Sequence, residues 1–114
     1  MSRRNDANFL RDMLDAAKEA VSFAQGKKRG DLDKDRKLVL AIVRLVEIIG
    51  EAADHVSGGF QEAHPEIPWP IIIGMRNRLA HAYFEVDLDR VWDTVKDDLL
   101  PLIAQLERIV PRTT

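Results

Sequence analysis

The chain has 114 residues, a length typical of one domain, with 46% hydrophobic and 32% charged residues. It contains no cysteine, which excludes disulfides, thiol catalysis and thiolate metal sites. The formal net charge of −2 excludes a general binder of polyanions, so a nucleic-acid partner would have to be engaged by a local basic site.

The first predicted helix runs from about Ala7 to Gln25, where apolar residues recur at helical spacing. Asn5 or Asp6 suits the cap at its start, and Gly26 suits its end. The basic, glycine-flanked segment 25–30 follows. Two interpretations of that segment remain open: a flexible connection, or an element that binds a partner.

The second predicted helix begins near the cap Asp33 and lasts to about Val56. Residues 38–49 are apolar on nearly every face, which indicates the centre of a bundle or a subunit interface. A narrow polar stripe interrupts this helix at Arg44, Glu47 and Glu51. The stripe is either an exposed edge laced by intrahelical ion pairs or a polar wall that faces an internal site.

Gly58 and Gly59 end the second helix, and Pro70 fits the first turn of a third, predicted from Ile71 to about Tyr83 or Phe84. A fourth helix begins after the cap Asp87. Its apolar face continues through Pro101, where we expect a kink or a brief break without a change of direction. The pattern predicts an all-α fold, a four- to five-helix antiparallel bundle in a single domain, residues 1–114.

The N-terminal residues lack the apolar stretch of a signal peptide, and no apolar run approaches the ~20 residues of a membrane span. We therefore expect a cytoplasmic location and no membrane partner. The three histidines lack the spacing of metal ligands, so no metal site is expected.

Residues with chemical potential concentrate in the third predicted helix: Arg76, Asn77, Arg78, His81 and Tyr83. An arginine binds phosphate through a planar fork of donors, and a histidine can move a proton near neutral pH. Together they meet the minimum requirement for breaking an RNA strand without a metal. The alternative is a polar helix surface that carries an ordinary histidine.

On a regular helix, Arg76 and His81 would be roughly 140° apart, because they are five residues apart at 3.6 residues per turn. Either the Arg76 side chain wraps around the helix, or the site is built between two copies of it. We prefer the second interpretation and expect a tight homodimer that uses the second and third helices.

The pattern Arg76-x4-His81-x-Tyr83 resembles the R-x4-H-x-Y motif of the HEPN superfamily, specifically the HepT-like toxins of HEPN/MNT toxin–antitoxin pairs. The resemblance covers almost the whole chain. Further segments similar to the family are Phe9–Leu14, Arg44–Ala52, Ile67–Trp69, Met75–Asn77, Phe84–Asp87 and Val91–Trp92.

The resemblance implies a HEPN-like helical domain, a homodimer whose motifs meet in an interfacial cleft, and a metal-independent endoribonuclease that acts as a toxin. It also implies neutralisation by a partner nucleotidyltransferase antitoxin. Carried over by position, Arg76 and His81 are the catalytic pair, and Asn77 is the accompanying polar residue. Tyr83 corresponds to the tyrosine that the antitoxin adenylylates in some members.

The family assigns no firm roles to Arg44, Glu47 and Glu51, but the polar stripe makes them candidates for orienting Arg76 and His81. No cofactor is expected. HEPN folds also serve as non-catalytic modules. The alternative function is therefore a catalytically silent helical dimer that binds a nucleotidyltransferase partner or a nucleotide.

Overall fold

Two long helices open the chain and pack along each other. The computed structural model describes residues 5–82 and 85–110, in which α1 spans Asp6–Ala24 and α2 spans Arg36–His55. The Asn5 side chain caps α1 by accepting a hydrogen bond from the backbone N–H of Asn8 at 3.1 Å. Gly26 turns the chain away from α1 with a φ of 76°, a conformation that glycine adopts without steric cost.

The start of α2 lies later than the sequence pattern predicts. A 3₁₀ turn covers Arg29–Asp33, and Asp35 caps α2 by accepting from the N–H of Leu38 at 3.0 Å. Asp33, the predicted cap, instead forms an ion pair with Arg29 at 3.3 Å. The prediction was wrong because the 3₁₀ turn carries the chain two residues further before the α-helix begins.

Short helices follow α2. The chain forms α3 at Gly58–Ala63, α4 at Trp69–Ile73 and α5 at Met75–Arg78. Ser57 caps α3 by accepting a hydrogen bond from the N–H of Phe60. This helix was not predicted, because Gly58 and Gly59 indicated the end of the second helix. Pro70 lies in the first turn of α4, as predicted.

The third helix does not continue to Tyr83 or Phe84, and that prediction was wrong. It is interrupted at Gly74 and ends at Arg78, after which β1 (Ala80–Ala82) pairs antiparallel with β2 (Glu85–Val86). The N–H of Asp87 donates to the carbonyl of Leu79 at 2.6 Å and closes this hairpin. The β-branched Val86 favours the extended backbone of β2 over helix.

The last helical stretch consists of α6 (Leu88–Asp93), a π-helical segment at Thr94–Asp98, and α7 (Leu99–Ile109). Asp87 caps α6, as predicted, by accepting from the N–H of Arg90 at 3.1 Å. The irregularity expected at Pro101 takes the form of this π-helical segment. Proline cannot donate to the carbonyl four residues earlier, and its ring crowds that carbonyl, so the preceding turn widens.

The core forms where α1, α2 and the last helical stretch meet. Its largest fully buried side chains include those of Leu10, Met13, Ile42, Ile49, Leu99, Leu102 and Leu106. The all-α fold class is confirmed, since the hairpin of β1 and β2 is only a connection between helices. Across the described ranges, no helix has the length and apolarity needed to cross a membrane.

Candidate functional site

Arg76 projects from a short helix whose other side is held in the core. Met75 is buried, as is Leu79 directly after α5, while Arg76 and Asn77 are exposed. Among the described residues, no carboxylate or carbonyl pairs with the Arg76 guanidinium. An exposed guanidinium on a firmly packed helix is suited to bind an anion from solution.

Arg78 has a different environment from Arg76, although both are exposed. Its Nη2 donates a hydrogen bond to the backbone carbonyl of Ile71 at 3.0 Å. That bond ties the end of α5 back to α4 across the break at Gly74. Arg78 therefore stabilises the segment that carries Arg76, and its donors are partly occupied.

His81 lies on β1, and the structure describes only its backbone; Tyr83 lies outside the described residues. The helical geometry that sequence analysis gave to this segment therefore does not hold. The 140° offset between Arg76 and His81 does not apply, because α5 ends at Arg78. A turn and a strand set the position of His81 relative to Arg76.

The polar stripe of α2 lies on the surface of the protomer. Arg44 pairs with Glu47 at 3.2 Å and approaches Glu51 at 3.9 Å, and the three side chains are 62%, 30% and 61% exposed, respectively. These contacts match the exposed edge laced by intrahelical ion pairs. Within the described part of the chain, no ion pair or hydrogen bond joins the stripe to Arg76.

The stripe nevertheless borders the segment that carries Arg76. Gly50 of α2 meets the end of α4 so closely that a β-carbon there would lie 3.1 Å from the carbonyl oxygen of Ile73. At 100° per residue, Glu47 lies about 60° around α2 from Gly50. The carboxylates of the stripe are therefore beside the junction between α4 and α5.

Asp98 is a charged neighbour of this region that the sequence analysis missed. It lies in the π-helical segment, where partial desolvation raises the pKa of its carboxyl above the ordinary value and the guanidinium groups of Arg78 and Arg90 oppose that rise. Arg90 belongs to the same helical stretch as Asp98, whereas Arg78 comes near it only through the fold. No local sequence signal identifies Asp98.

No cluster of three or more histidine, aspartate or glutamate side chains suited to hold a metal ion occurs in the described ranges. His55 Nδ1 donates a hydrogen bond to the backbone carbonyl of Glu51 at 2.8 Å, and His64 pairs with Glu66 at 3.0 Å. Both of these histidines therefore contribute to local structure.

The chain is similar to known proteins over nearly its whole length. The pattern of the family described as "Ribonuclease HepT-like" matches residues 13–109. The protein named "Probable ribonuclease HepT" from Thermococcus cleftensis is 36% identical over 107 residues, which cover 94% of this chain and 97% of that protein. No solved structure matches the chain.

Two further relatives carry provisional names as RNases. One, from Methanocaldococcus jannaschii, is 33% identical over 94% of this chain and 98% of its own length. The other, from Caldanaerobacter subterraneus, is 34% identical over 91% of this chain and 93% of its own length. Similarity of this extent, together with a family match that includes the whole segment from Arg76 to Tyr83, shows that the chain belongs to the HepT-like ribonuclease family.

Proposed function

We propose that this chain is a metal-independent endoribonuclease, the toxin of a toxin–antitoxin pair, and that Arg76 and His81 act on the RNA. Family membership supports ribonuclease activity. The single structural observation that carries the assignment is the exposed guanidinium of Arg76, held on a packed helix and without a carboxylate partner in the described residues.

The chemistry proposed for this pair needs one proton carrier and one anion-binding group. The ribose 2′-oxygen attacks the phosphorus and loses its proton, and the bond to the 5′-oxygen breaks as that oxygen gains a proton. In one of these two transfers, His81 either accepts the proton of the 2′-hydroxyl or donates a proton to the 5′-oxygen. The guanidinium of Arg76 stabilises the negative oxygens of the crowded phosphorane.

A homodimer is part of this proposal. Ile71 of α4 is an apolar residue that is 48% exposed, whereas the neighbouring Ile72 is buried. Covering this isoleucine with a second copy would remove apolar surface from water. It would also bring two Arg76 segments towards one cleft, as the family resemblance implies.

The partner proposed for neutralisation is a nucleotidyltransferase antitoxin that transfers AMP to Tyr83. An attached nucleotide adds an anion and bulk close to the proposed catalytic residues in the sequence. The second candidate function remains the catalytically silent dimer that binds a nucleotidyltransferase or a nucleotide. An exposed arginine such as Arg76 suits either a ribonuclease or a silent binding module, so activity measurements must decide between these two functions.

The deciding experiment incubates the purified full chain with total RNA, with and without EDTA. We expect cleavage in both conditions. His81→Ala should lower the rate by about 10²–10⁴-fold, as expected for loss of a proton-transfer group. His55→Ala, which removes an exposed histidine of α2, is the matched control and should cleave normally. Undiminished cleavage by His81→Ala, or cleavage abolished by EDTA, would contradict the proposal.

A further inference from the structure

A groove lies between the N-terminal end of α2 and the hairpin that follows the Arg76 segment. Its volume is about 480 Å³. Apolar side chains line part of it, namely those of Leu32, Val39, Leu40, Val86 and Leu88, and the charged residues Asp33, Lys34 and Arg36 line the rest. Leu40 is 49% exposed, so much of the apolar surface faces solvent. We call this feature the α2 groove.

The walls of the α2 groove are tied together by charged contacts. Arg29 of the 3₁₀ turn donates from Nε to Asp89 of α6 at 2.6 Å and pairs with Asp33 at 3.3 Å. These bonds join the turn to the helix that carries Leu88. The groove is therefore a feature of the folded protomer and needs no rearrangement to form.

The segment that leads into α2 is rich in cations and supplies Lys34 and Arg36, with Asp33, to the lining of the groove. Residues 27–37 contain six basic and three acidic side chains. The three acids are engaged locally: Asp31 accepts from the N–H of Lys28, Asp33 pairs with Arg29, and Asp35 caps α2. By contrast, Lys34, Arg36 and Lys37 are exposed and make no ion pair with any described residue.

The groove leads towards the proposed catalytic segment by two routes. Along the hairpin, Val86 of the groove wall pairs with Ala80, the residue before His81. Along α2, helical spacing puts Lys37, Leu40, Arg44 and Glu47 on one face. A strand that occupies the groove would therefore continue over the polar stripe beside the junction of α4 and α5.

We propose that the α2 groove binds single-stranded RNA next to the scissile bond, with Lys34, Arg36 and Lys37 on phosphates and Leu40 against a base. Phosphates match these exposed cations, and base faces match the apolar side chains that line the groove. A second copy of the chain fits less well. A two-fold interface brings the same patch of each copy together and would oppose like charges. This inference rests on the proposed function.

The test uses a fluorescein-labelled oligouridine of ~12 nucleotides, a length within the range covered by single-strand grooves. Binding is measured on the His81→Ala background, so that cleavage does not interfere. Replacing Lys34, Arg36 and Lys37 together by glutamine should weaken binding on the order of tenfold at moderate salt. It should also reduce the slope of log affinity against log salt by about 2.

The matched control replaces three other cations, Lys18, Lys96 and Arg108, by glutamine and should leave affinity and slope unchanged. Leu40→Asn probes the apolar lining separately: it should weaken binding without changing the salt slope. Circular dichroism confirms that each variant is folded. Unchanged affinity in the groove triple variant overturns the proposal. So does a shift from dimer to monomer in either groove variant, since the groove would then be a protein interface.

Cleavage measurements keep this proposal separate from the proposed function. With His81 restored, the groove triple variant should raise the KM for RNA and change kcat little. If the parent cleaves RNA and the triple variant keeps the parental KM, the groove proposal fails alone. If the parent does not cleave RNA but the triple variant still loses oligonucleotide affinity, RNA binding by the groove stands, while the ribonuclease proposal and a place beside a scissile bond both fail.

Discussion

Gly50 of α2 lies directly beneath Ile73 of α4, so close that a β-carbon at Gly50 would be 3.1 Å from the Ile73 carbonyl oxygen and 3.4 Å from that of Ile72. The absence of a side chain at this position lets the end of α4 rest on α2. Because α5 follows α4 after a single residue, this contact helps to set the distance between Arg76 and α2.

Gly50→Ala should destabilise the protein despite the higher helix propensity of alanine. Alanine gains ~1 kcal/mol over glycine in a helix, but overpacking against a backbone carbonyl costs about 1–3 kcal/mol. We expect the free energy of unfolding to fall by on the order of 1 kcal/mol in urea titrations. Gly59→Ala in α3 is the control, since a β-carbon there has nothing within 4 Å. Greater stability of Gly50→Ala than of Gly59→Ala would contradict the predicted clash.

Substitutions of Arg76 and Arg78 should separate chemistry from structure. Arg76→Ala should leave the melting temperature unchanged and lower RNA cleavage by about 10²-fold or more, because a donor to the phosphorane is lost. Arg78→Ala loses the hydrogen bond to Ile71 and should lower the free energy of unfolding by ~1 kcal/mol, with a smaller effect on cleavage. If Arg78→Ala lowered the cleavage rate more than Arg76→Ala while remaining as stable as the parent, the catalytic assignment of Arg76 would be wrong.

The carboxylates of the stripe should matter more for cleavage than for stability. The double variant Glu47→Gln and Glu51→Gln removes exposed ion pairs with Arg44, which should change the free energy of unfolding by less than ~1 kcal/mol. If the pair orients the proposed catalytic groups, cleavage should fall by about 10- to 100-fold. The control is Glu19→Gln with Glu62→Gln, two exposed carboxylates of α1 and α3. Equal cleavage by both double variants would leave the stripe without a positioning role.

Regulation at Tyr83 can be tested by intact mass. The full chain is co-expressed with a nucleotidyltransferase encoded beside its gene, and we expect a mass increase of one or more AMP units that is absent in Tyr83→Phe. The added phosphate and adenosine should suppress cleavage, since they introduce a bulky anion seven residues along the chain from Arg76, the proposed anion-binding residue. A Tyr83→Phe variant that is toxic alone but still fully neutralised would show that the antitoxin acts by binding only.

Glu66 should contribute to the acid side of the stability profile. A backbone hydrogen bond and the His64 ring lower the pKa of its carboxyl below the ordinary 4.5. A lowered folded-state pKa stabilises the protein above pH 4.5, and this contribution is lost as the pH falls through the lowered value. The melting temperatures of the parent and Glu66→Gln should therefore differ at neutral pH and converge in acid. A difference that grew in acid would reverse the sign and refute this assignment; Glu62→Gln is the control.

Much of the architecture follows from the sequence because it depends on local interactions. Helical spacing of apolar residues predicted the three long helical stretches, and the caps Asn5 and Asp87 are short-range hydrogen bonds within four residues. The family membership was likewise readable from the chain, since it depends on the order of residues around Arg76 and His81.

Tertiary structure decided the rest. The end of α5 at Arg78 depends on the hydrogen bond from Asp87 to Leu79 and on pairing between β1 and β2, which helical periodicity cannot register. The approach of α4 to Gly50, the charges around Asp98 and the α2 groove all join residues far apart in the sequence. Such contacts form only when the core packs, because each partner alone is an ordinary glycine, carboxylate or surface leucine.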